Sequence, residues 1–481
     1  MGHILVLDIG TSSVKAVLFD ARGGILAEAE TSYQTTAYPD GRQEQDPSDW
    51  IAATRTAVRR LAPDPTAIKL MVLSGTMQSV IPVDEEGNAI RPAILYSDGR
   101  ATAELAELSP QFCPQTETLG NCPNEFMAAF KIAWLRRHEP EAFARTATFH
   151  SGSKDFVLQW LTGERVTDPT AASTVGLMDL QRRTWIQSLT HAIGVEHDRL
   201  PNILPGNQVV GELLGSAATA LGLLEGTPVM NGSGDAGAST LGAGIDGDGG
   251  TYVYVGTTAW AAQVHSQADN TSADRQSVYS LAHPSDPLQT IRIGAMLSGG
   301  DSAAWLAEAL ARPLEELDRL VGSEAFRPTG AMFLPYLKGE RCPFLDSGVR
   351  AGFVQLTRTD GAAELHRAVI EGIALAIRTN VDALGPVQSD VLLLGGGALS
   401  AHLPQILADC LEHPVLVAQS PSSVTALGCF RLGARTLGWA DARPVVAERI
   451  MPGQGSAGRV SARLGMFRQT TELLRQLSRS A

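Results

Sequence analysis

The sequence predicts an α/β protein of two domains, and three observations carry that prediction. Its 481 residues exceed what one compact core sustains. A strand-turn-strand pattern that opens near residue 4 returns near residue 251, so the halves read as diverged copies of one architecture. Between them lies a glycine-rich acidic stretch, Gly244 to Gly250, which suits a boundary. The domains expected are 1–245 and 246–481.

Taken in order, Ile4 to Asp8, Val14 to Asp20 and Ile25 to Glu30 read as short antiparallel strands. A Gly10-Thr11-Ser12-Ser13 turn and a Gly23-Gly24 turn join them as hairpins. Asp46-Pro47-Ser48 starts a helix, and Trp50, Ala53, Ala57 and Leu61 follow at helical spacing. Ile68 to Leu73, ending at Ser74-Gly75, is a buried strand. This order is that of a ribonuclease-H-like domain. Further on, Pro228 to Gly234 reads as a short strand and a glycine turn, with Asp235 opening a helix of small residues.

The second half repeats the scheme. Thr251 to Val255, a Gly256-Thr257-Thr258 turn and Trp260 to Val264 form the hairpin. Leu365, Ala368, Val369, Gly372, Ile373, Ala376 and Ile377 alternate in steps that define an amphipathic helix. Val391 to Leu394 is a strand ending in Gly395-Gly396-Gly397, and Leu403, Ile406, Leu407 and Cys410 share one face of the next helix.

A net charge of -13 opposes nonspecific association with nucleic acid or an anionic membrane and favours small-molecule chemistry. Cys113, Cys122, Cys342, Cys410 and Cys429 are odd in number and scattered, which fits a reducing cytoplasm better than a disulfide framework or a zinc site. Asp8 interrupts the only N-terminal apolar stretch, which argues against a signal peptide, and the start lacks the myristoylation pattern. No apolar run approaches membrane-spanning length.

Chemistry is concentrated at the turns. The two Gly- and hydroxyl-rich hairpins can present amide hydrogens and hydroxyls to a phosphate chain, although each alone is equally a plain hairpin. Asp8 stands where a carboxylate can hold a magnesium ion, and Lys15 where it can counter phosphate charge. Asp235 reads both as a helix N-cap and as a base that the helix dipole keeps ionised. Gly395 to Gly397 suits the approach of a flat base to backbone or a tight turn; Gly299-Gly300-Asp301-Ser302 suits a nucleotide floor or a helix start. Gly232, Gly234 and Gly237 satisfy the dinucleotide pattern, as do Gly242, Gly244 and Gly247. A carboxylate inside such a loop would repel a pyrophosphate, so that reading is set aside. There is no Walker A loop and no His-Glu-x-x-His motif.

With these residues in hand, the chain resembles the FGGY carbohydrate kinases, and among them most the xylulose kinases. The resemblance runs over nearly the whole length, through Asp8 to Lys15, Glu44-Gln-Asp-Pro47, Arg91 to Arg100, Gly234-Asp235, Gly256-Thr257, Leu337-Lys-Gly-Glu-Arg341, Leu365 to Gly372 and Gly395 to Ala398. It implies an actin-like pair of ribonuclease-H-like domains with an active-site cleft between them, using ATP and Mg2+. Asp235 matches the catalytic base, and Asp8 the metal-associated carboxylate. Thr11, Ser12, Ser13 and Lys15 match the first phosphate loop, Gly256 and Thr257 the second. Gly300, Gly396, Gly397 and Ala398 fall where the family binds nucleotide. Met77 and Gln78 match a substrate pair, and Tyr96 and Phe126 fall at aromatic positions beside the substrate.

The sequence departs from xylulose kinases at Gln78, usually His, and at Tyr96, usually Trp. Its second phosphate loop reads Thr257-Thr258-Ala259, and Ala128, Gln355 and Ala401 replace other family residues. The reaction implied is conversion of D-xylulose to D-xylulose 5-phosphate. The same chemistry on gluconate, ribulose, fuculose, a tetritol or glycerol is the nearest alternative, and a non-catalytic nucleotide-binding protein on an actin-like fold the more distant one. A homodimer is expected on base rate alone.

Overall fold

The computed structural model describes residues 2–245, 247–266, 276–321, 326 and 330–480. They form two compact units. One comprises Met1–Gly244, Ser280–Thr290 and Thr425–Arg443; the other comprises Ile245–Tyr279, Ile291–Val424 and Pro444–Ala481. Among the described residues no helix is long and apolar enough to cross a membrane.

The first unit is built on six strands: β1 (His3–Ile9), β2 (Ser13–Phe19), β3 (Ile25–Ser32), β4 (Ile68–Gly75), β5 (Val209–Glu212) and β6 (Pro228–Gly234), in the order β5-β6-β4-β1-β2-β3. β1 runs antiparallel to β2 and parallel to β4, which in turn runs parallel to β6. This is the ribonuclease-H-like arrangement that the order of elements predicts.

Side chains alternate across a strand, and here both faces are covered. Leu5, Leu7 and Ile9 of β1 pack with Trp50, Ala53, Ala57 and Val58 of the helix Pro47–Leu61. That helix starts where Asp46 accepts the Ser48 N–H at 2.9 Å, and it stops at Ala62 in the left-handed region. The alternate residues Ile4 and Val6 pack with Ala426, Cys429, Phe430 and Ala434 of the helix Val424–Leu437. A third apolar cluster in this unit includes Phe112, Met127, Phe130 and Leu135.

The second sheet, drawn mostly from the second unit, has seven strands: β7 (Thr251–Val255), β8 (Ala259–Ser266), β9 (Val278–Ala282), β10 (Gln289–Met296), β11 (Val391–Leu394), β12 (Val415–Ala418) and β13 (Val446–Ile450). Their order is β9-β10-β8-β7-β11-β12-β13. β7 pairs antiparallel with β8 and parallel with β11, repeating the scheme of the first unit. The helix Ala362–Leu384 supplies Ala368, Val369, Ile373, Ala376 and Ile377 to its core.

Against the expected 1–245 and 246–481, the chain first passes between the compact units after Gly244, and two later segments return to the first unit. Ser280–Thr290 and Thr425–Arg443 belong to the first unit. The reason for the former is hydrogen bonding: Asn121 and Ser280 exchange two bonds of 2.8 Å, and Thr170 donates to the Ala282 carbonyl at 2.8 Å. The reason for the latter is apolar burial, since Val424–Leu437 covers one face of the first sheet. A Cβ on Gly428 would stand 1.8 Å from the Ala238 carbonyl oxygen, so only glycine permits that approach.

Candidate active site

The first hairpin places Asp8 at the end of β1, directly opposite Lys15 of β2 and beside Ser74 of β4. Its turn is tied from outside: the Tyr33 hydroxyl donates to the Gly10 carbonyl, and Gln45 donates to the Thr11 carbonyl at 2.7 Å. Thr11 and Ser12 face solvent, while the Ser13 hydroxyl donates to Glu30 at 2.5 Å. Lys15 lies 3.7 Å from Glu28.

Asp235 lies just past the end of β6, two strands from β1. Gly234, not Asp235, is the N-cap of the helix Asp235–Gly242, which corrects the expectation; Asp235 is its first residue and accepts the Ala236 N–H at 2.8 Å. Its ionisation is set by more than the start of the helix. Burial first, then the Asp8 charge, push its pKa up to about 7 against the pull of the Ala236 amide. Burial likewise lifts Asp8 to about 6, with the Ser74 hydroxyl and Lys15 working against it. Both carboxyls are surrounded by protein atoms yet keep a partly accessible surface. Asp8 Oδ1 is buried with no hydrogen-bond partner among the described residues.

Beside Asp235 stands Met77: a Cβ on Gly234 would lie 2.2 Å from the Met77 Sδ, so glycine leaves the space that Met77 fills. Gln78 follows with a left-handed φ of 61°, its Nε2 buried without a partner among the described residues. Tyr96 sits in the turn closed by the Asp98 N–H on the Leu95 carbonyl at 3.1 Å. Phe126 packs near Gly99, with Cε1 3.5 Å from where a Cβ would be. Of these four, Met77 is the one seen against the end of β6, while Phe126 lies by the turn that carries Tyr96.

In the second unit the predicted nucleotide residues gather around the end of β7. Gly299 and Asp301 donate to the Thr257 carbonyl at 3.0 and 3.2 Å, and Gly300 to the Gly256 carbonyl at 2.8 Å, so the two turns form one backbone structure. The helix Asp301–Ala309 begins there. Gly395 takes a φ of 77° against the Val255 carbonyl, and Gly397 lies against the Val255 side chain. Gly396 is exposed, whereas the Ala398 methyl is buried in the core.

The N-terminal domain of the FGGY family of carbohydrate kinases matches residues 3–242, and the C-terminal domain of the same family matches residues 251–437. The chain belongs to the FGGY family. It is 31% identical to the xylulose kinase of Escherichia coli (strain K12), over 89% of this chain and 88% of that one. To the xylulose kinase of Bacillus subtilis (strain 168) it is 28% identical, over 94% and 91%. The crystal structure of xylulose kinase from Rhodospirillum rubrum superposes with a TM-score of 0.88 at 27% identity, covering 99% of this chain and all of that one.

Whether the residues fit the magnesium ion that FGGY membership implies can be judged from the donors. Two carboxyls, each lifted in pKa and one with an unpartnered oxygen, are what a divalent cation would relieve. Among the described residues no group of three or more ligating side chains occurs. A pair suits magnesium, which keeps water and takes one or two carboxylates besides phosphate oxygens. Asp8 and Asp235 therefore fit.

Two groups escaped the sequence reading. Asp168, wholly buried, accepts the Gly234 N–H at 3.0 Å, caps Thr170 at 2.9 Å and lies 3.2 Å from the buried Lys154, itself 2.7 Å from Asp155. It braces the turn that carries Asp235. Asp168-Pro169 reads as a helix start, but nothing in the sequence links it to Gly234. Glu340, pushed up to about 8 by burial, accepts the Leu297 N–H at 3.1 Å and so props the loop leading to Gly300.

Proposed function

We propose that this FGGY-family protein transfers the γ-phosphoryl group of ATP to a hydroxyl of a small sugar, with D-xylulose, giving D-xylulose 5-phosphate, as the acceptor. The observation that carries the reading is Asp235, a carboxyl with a raised pKa that feels the Asp8 charge and follows Gly234, against which Met77 packs. The two xylulose kinases that the chain resembles support the choice of acceptor.

In this mechanism Asp235 takes the proton of the attacking hydroxyl as its oxygen bonds to the γ phosphorus and the bond to the ADP oxygen breaks. A pKa near neutrality suits a base that must be ionised before the reaction and protonated after it. Bound magnesium would supply charge neutralisation for the phosphates, held by Asp8 and Asp235. The amides and hydroxyls of Thr11, Ser12 and Ser13, with Lys15, would hold phosphate oxygens. Gly256 and Thr257 would do so from the second unit, with Gly300, Gly396, Gly397 and Ala398 along the nucleotide. Gln78 presents a buried neutral amide, which both donates and accepts and so suits hydroxyls; a gluconate carboxylate would call for a cation. An ATP-supplied cytoplasm is the proposed location.

A panel of D-xylulose, gluconate, D-ribulose, L-fuculose, erythritol and glycerol in a coupled ADP-release assay tests the reading. D-xylulose is expected to give the highest kcat/KM. A different preferred acceptor would overturn the substrate, and no sugar-dependent release would overturn the activity.

A further inference from the structure

Lys131 lies in the helix Ala128–His138 and is completely buried. Its Nζ donates to the Gln78 carbonyl at 3.2 Å and to the Leu95 carbonyl at 2.6 Å. An ammonium group is expensive to bury, and a methionine would fill a similar volume without that penalty. What lysine adds is a set of donors aimed at backbone oxygens.

Those oxygens belong to the two turns that carry the acceptor-side residues. Gln78 takes a φ of 61°, a conformation that residues other than glycine adopt only when their surroundings enforce it. Gln78 is 7% exposed, and its Nε2 is buried without a partner among the described residues, so the amide keeps a donor to spare for a ligand hydroxyl. The Leu95 carbonyl also accepts the Asp98 N–H, closing the turn on which Tyr96 is carried. Phe126 lies five residues before Lys131, in the segment that leads into the same helix, and packs near Gly99 just past the Tyr96 turn. Three chain segments, far apart in sequence, are thus referred to one cation.

We propose that Lys131 is a positioning residue for the acceptor sugar, holding the Gln78 and Tyr96 turns in register with one another. This rests on the assignment of Met77, Gln78, Tyr96 and Phe126 to the acceptor. The position acts on sugar binding and not on the nucleotide, because both bonded carbonyls lie on the acceptor side.

The test is steady-state kinetics of the full chain with D-xylulose, or whichever panel sugar the wild type turns over fastest. Lys131→Met is compared with Lys131→Gln, which keeps a donor, and Lys131→Arg, which keeps a cation. Lys131→Met is expected to raise KM for the sugar at least tenfold while KM for ATP and the slow sugar-independent ATP hydrolysis stay within twofold. Lys131→Gln should fall between it and the wild type, and Lys131→Arg should recover part of the loss. A sugar KM within twofold of the wild type in Lys131→Met, or in Lys131→Gln if the methionine variant does not fold, overturns the proposal. So does a parallel rise in both KM values, which marks general loosening. A wild type with no sugar-dependent ADP release brings down the kinase reading and this proposal with it, whereas an active wild type with unchanged variants brings down only the role of Lys131.

Discussion

A buried carboxyl that feels the charge of a second carboxyl destabilises the chain that carries it, and Asp235 with Asp8 is such a case. The folded-state pKa values of Asp8 and Asp235, about 6 and about 7, lie above the ordinary 3.8 of an aspartate. The folded protein therefore binds protons more tightly than the unfolded chain, and the associated stability is fully present below pH 3.8 and lost as pH rises through 6 and 7. Removing one charge should release the strain. Without magnesium, Asp235→Asn is predicted to match the wild type in stability near pH 4 and to exceed it at pH 8 by on the order of 2 kcal/mol. That figure is discounted for the part of the carboxyl that water reaches. Magnesium should narrow the gap by stabilising the wild type more than the variant. Urea melts at the two pH values, with and without the ion, check both statements; a gap that is constant with pH would contradict them. Asp235 was legible in the sequence as a charged residue in a glycine turn, but its protonation was not. The sequence shows the start of a helix there, but not the burial and the second carboxyl that raise the pKa.

At the scale of elements, period and turn chemistry were enough to locate most of what positions the site. The strands at Thr251–Val255 and Val391–Leu394 fall where the apolar runs put them, and the helix Pro47–Leu61 starts at its Asp-Pro signal. What could not be read is which element covers which face. The alternation in β1 shows that both sides are apolar, yet nothing local says that the helix Val424–Leu437 returns to cover one of them. That packing depends on Gly428 against the Ala238 carbonyl and on Arg431, which donates to the Leu241 carbonyl and pairs with Asp441 at 2.7 Å. A substitution of Gly428 by alanine must push the helix away from the sheet and is predicted to destabilise the protein by about 2 kcal/mol or more. Gly465, in the helix Ser456–Ser480, has open space where its Cβ would be. There the same change is predicted to stabilise by roughly 0.5–1 kcal/mol. Chemical denaturation of the pair checks this; equal effects would mean that close approach is not what holds Gly428.

Over the whole molecule, one strand scheme occurs twice and is put to two uses. In the first unit the strand ends carry carboxyls: Asp8 near the end of β1, and Asp235 just after β6. In the second the corresponding turns, Gly256-Thr257 after β7 and Gly395 to Gly397 after β11, carry backbone and a hydroxyl. Under the proposed function both units would offer turn amides and hydroxyls to phosphate, and the first alone would add the titratable carboxyls that acid-base work needs. The repeat was visible because its signals are local. The bracing of the site by Asp168 and Lys131 was not, because a buried charge looks like any other charge until its neighbours are known. The account as a whole depends on Asp235 as the base, and the direct measurement is sugar-dependent ADP release by Asp235→Asn alongside its affinity for ATP. The prediction is a fall in kcat of about a thousandfold with ATP affinity within a few-fold of the wild type. Turnover within tenfold of the wild type would contradict it.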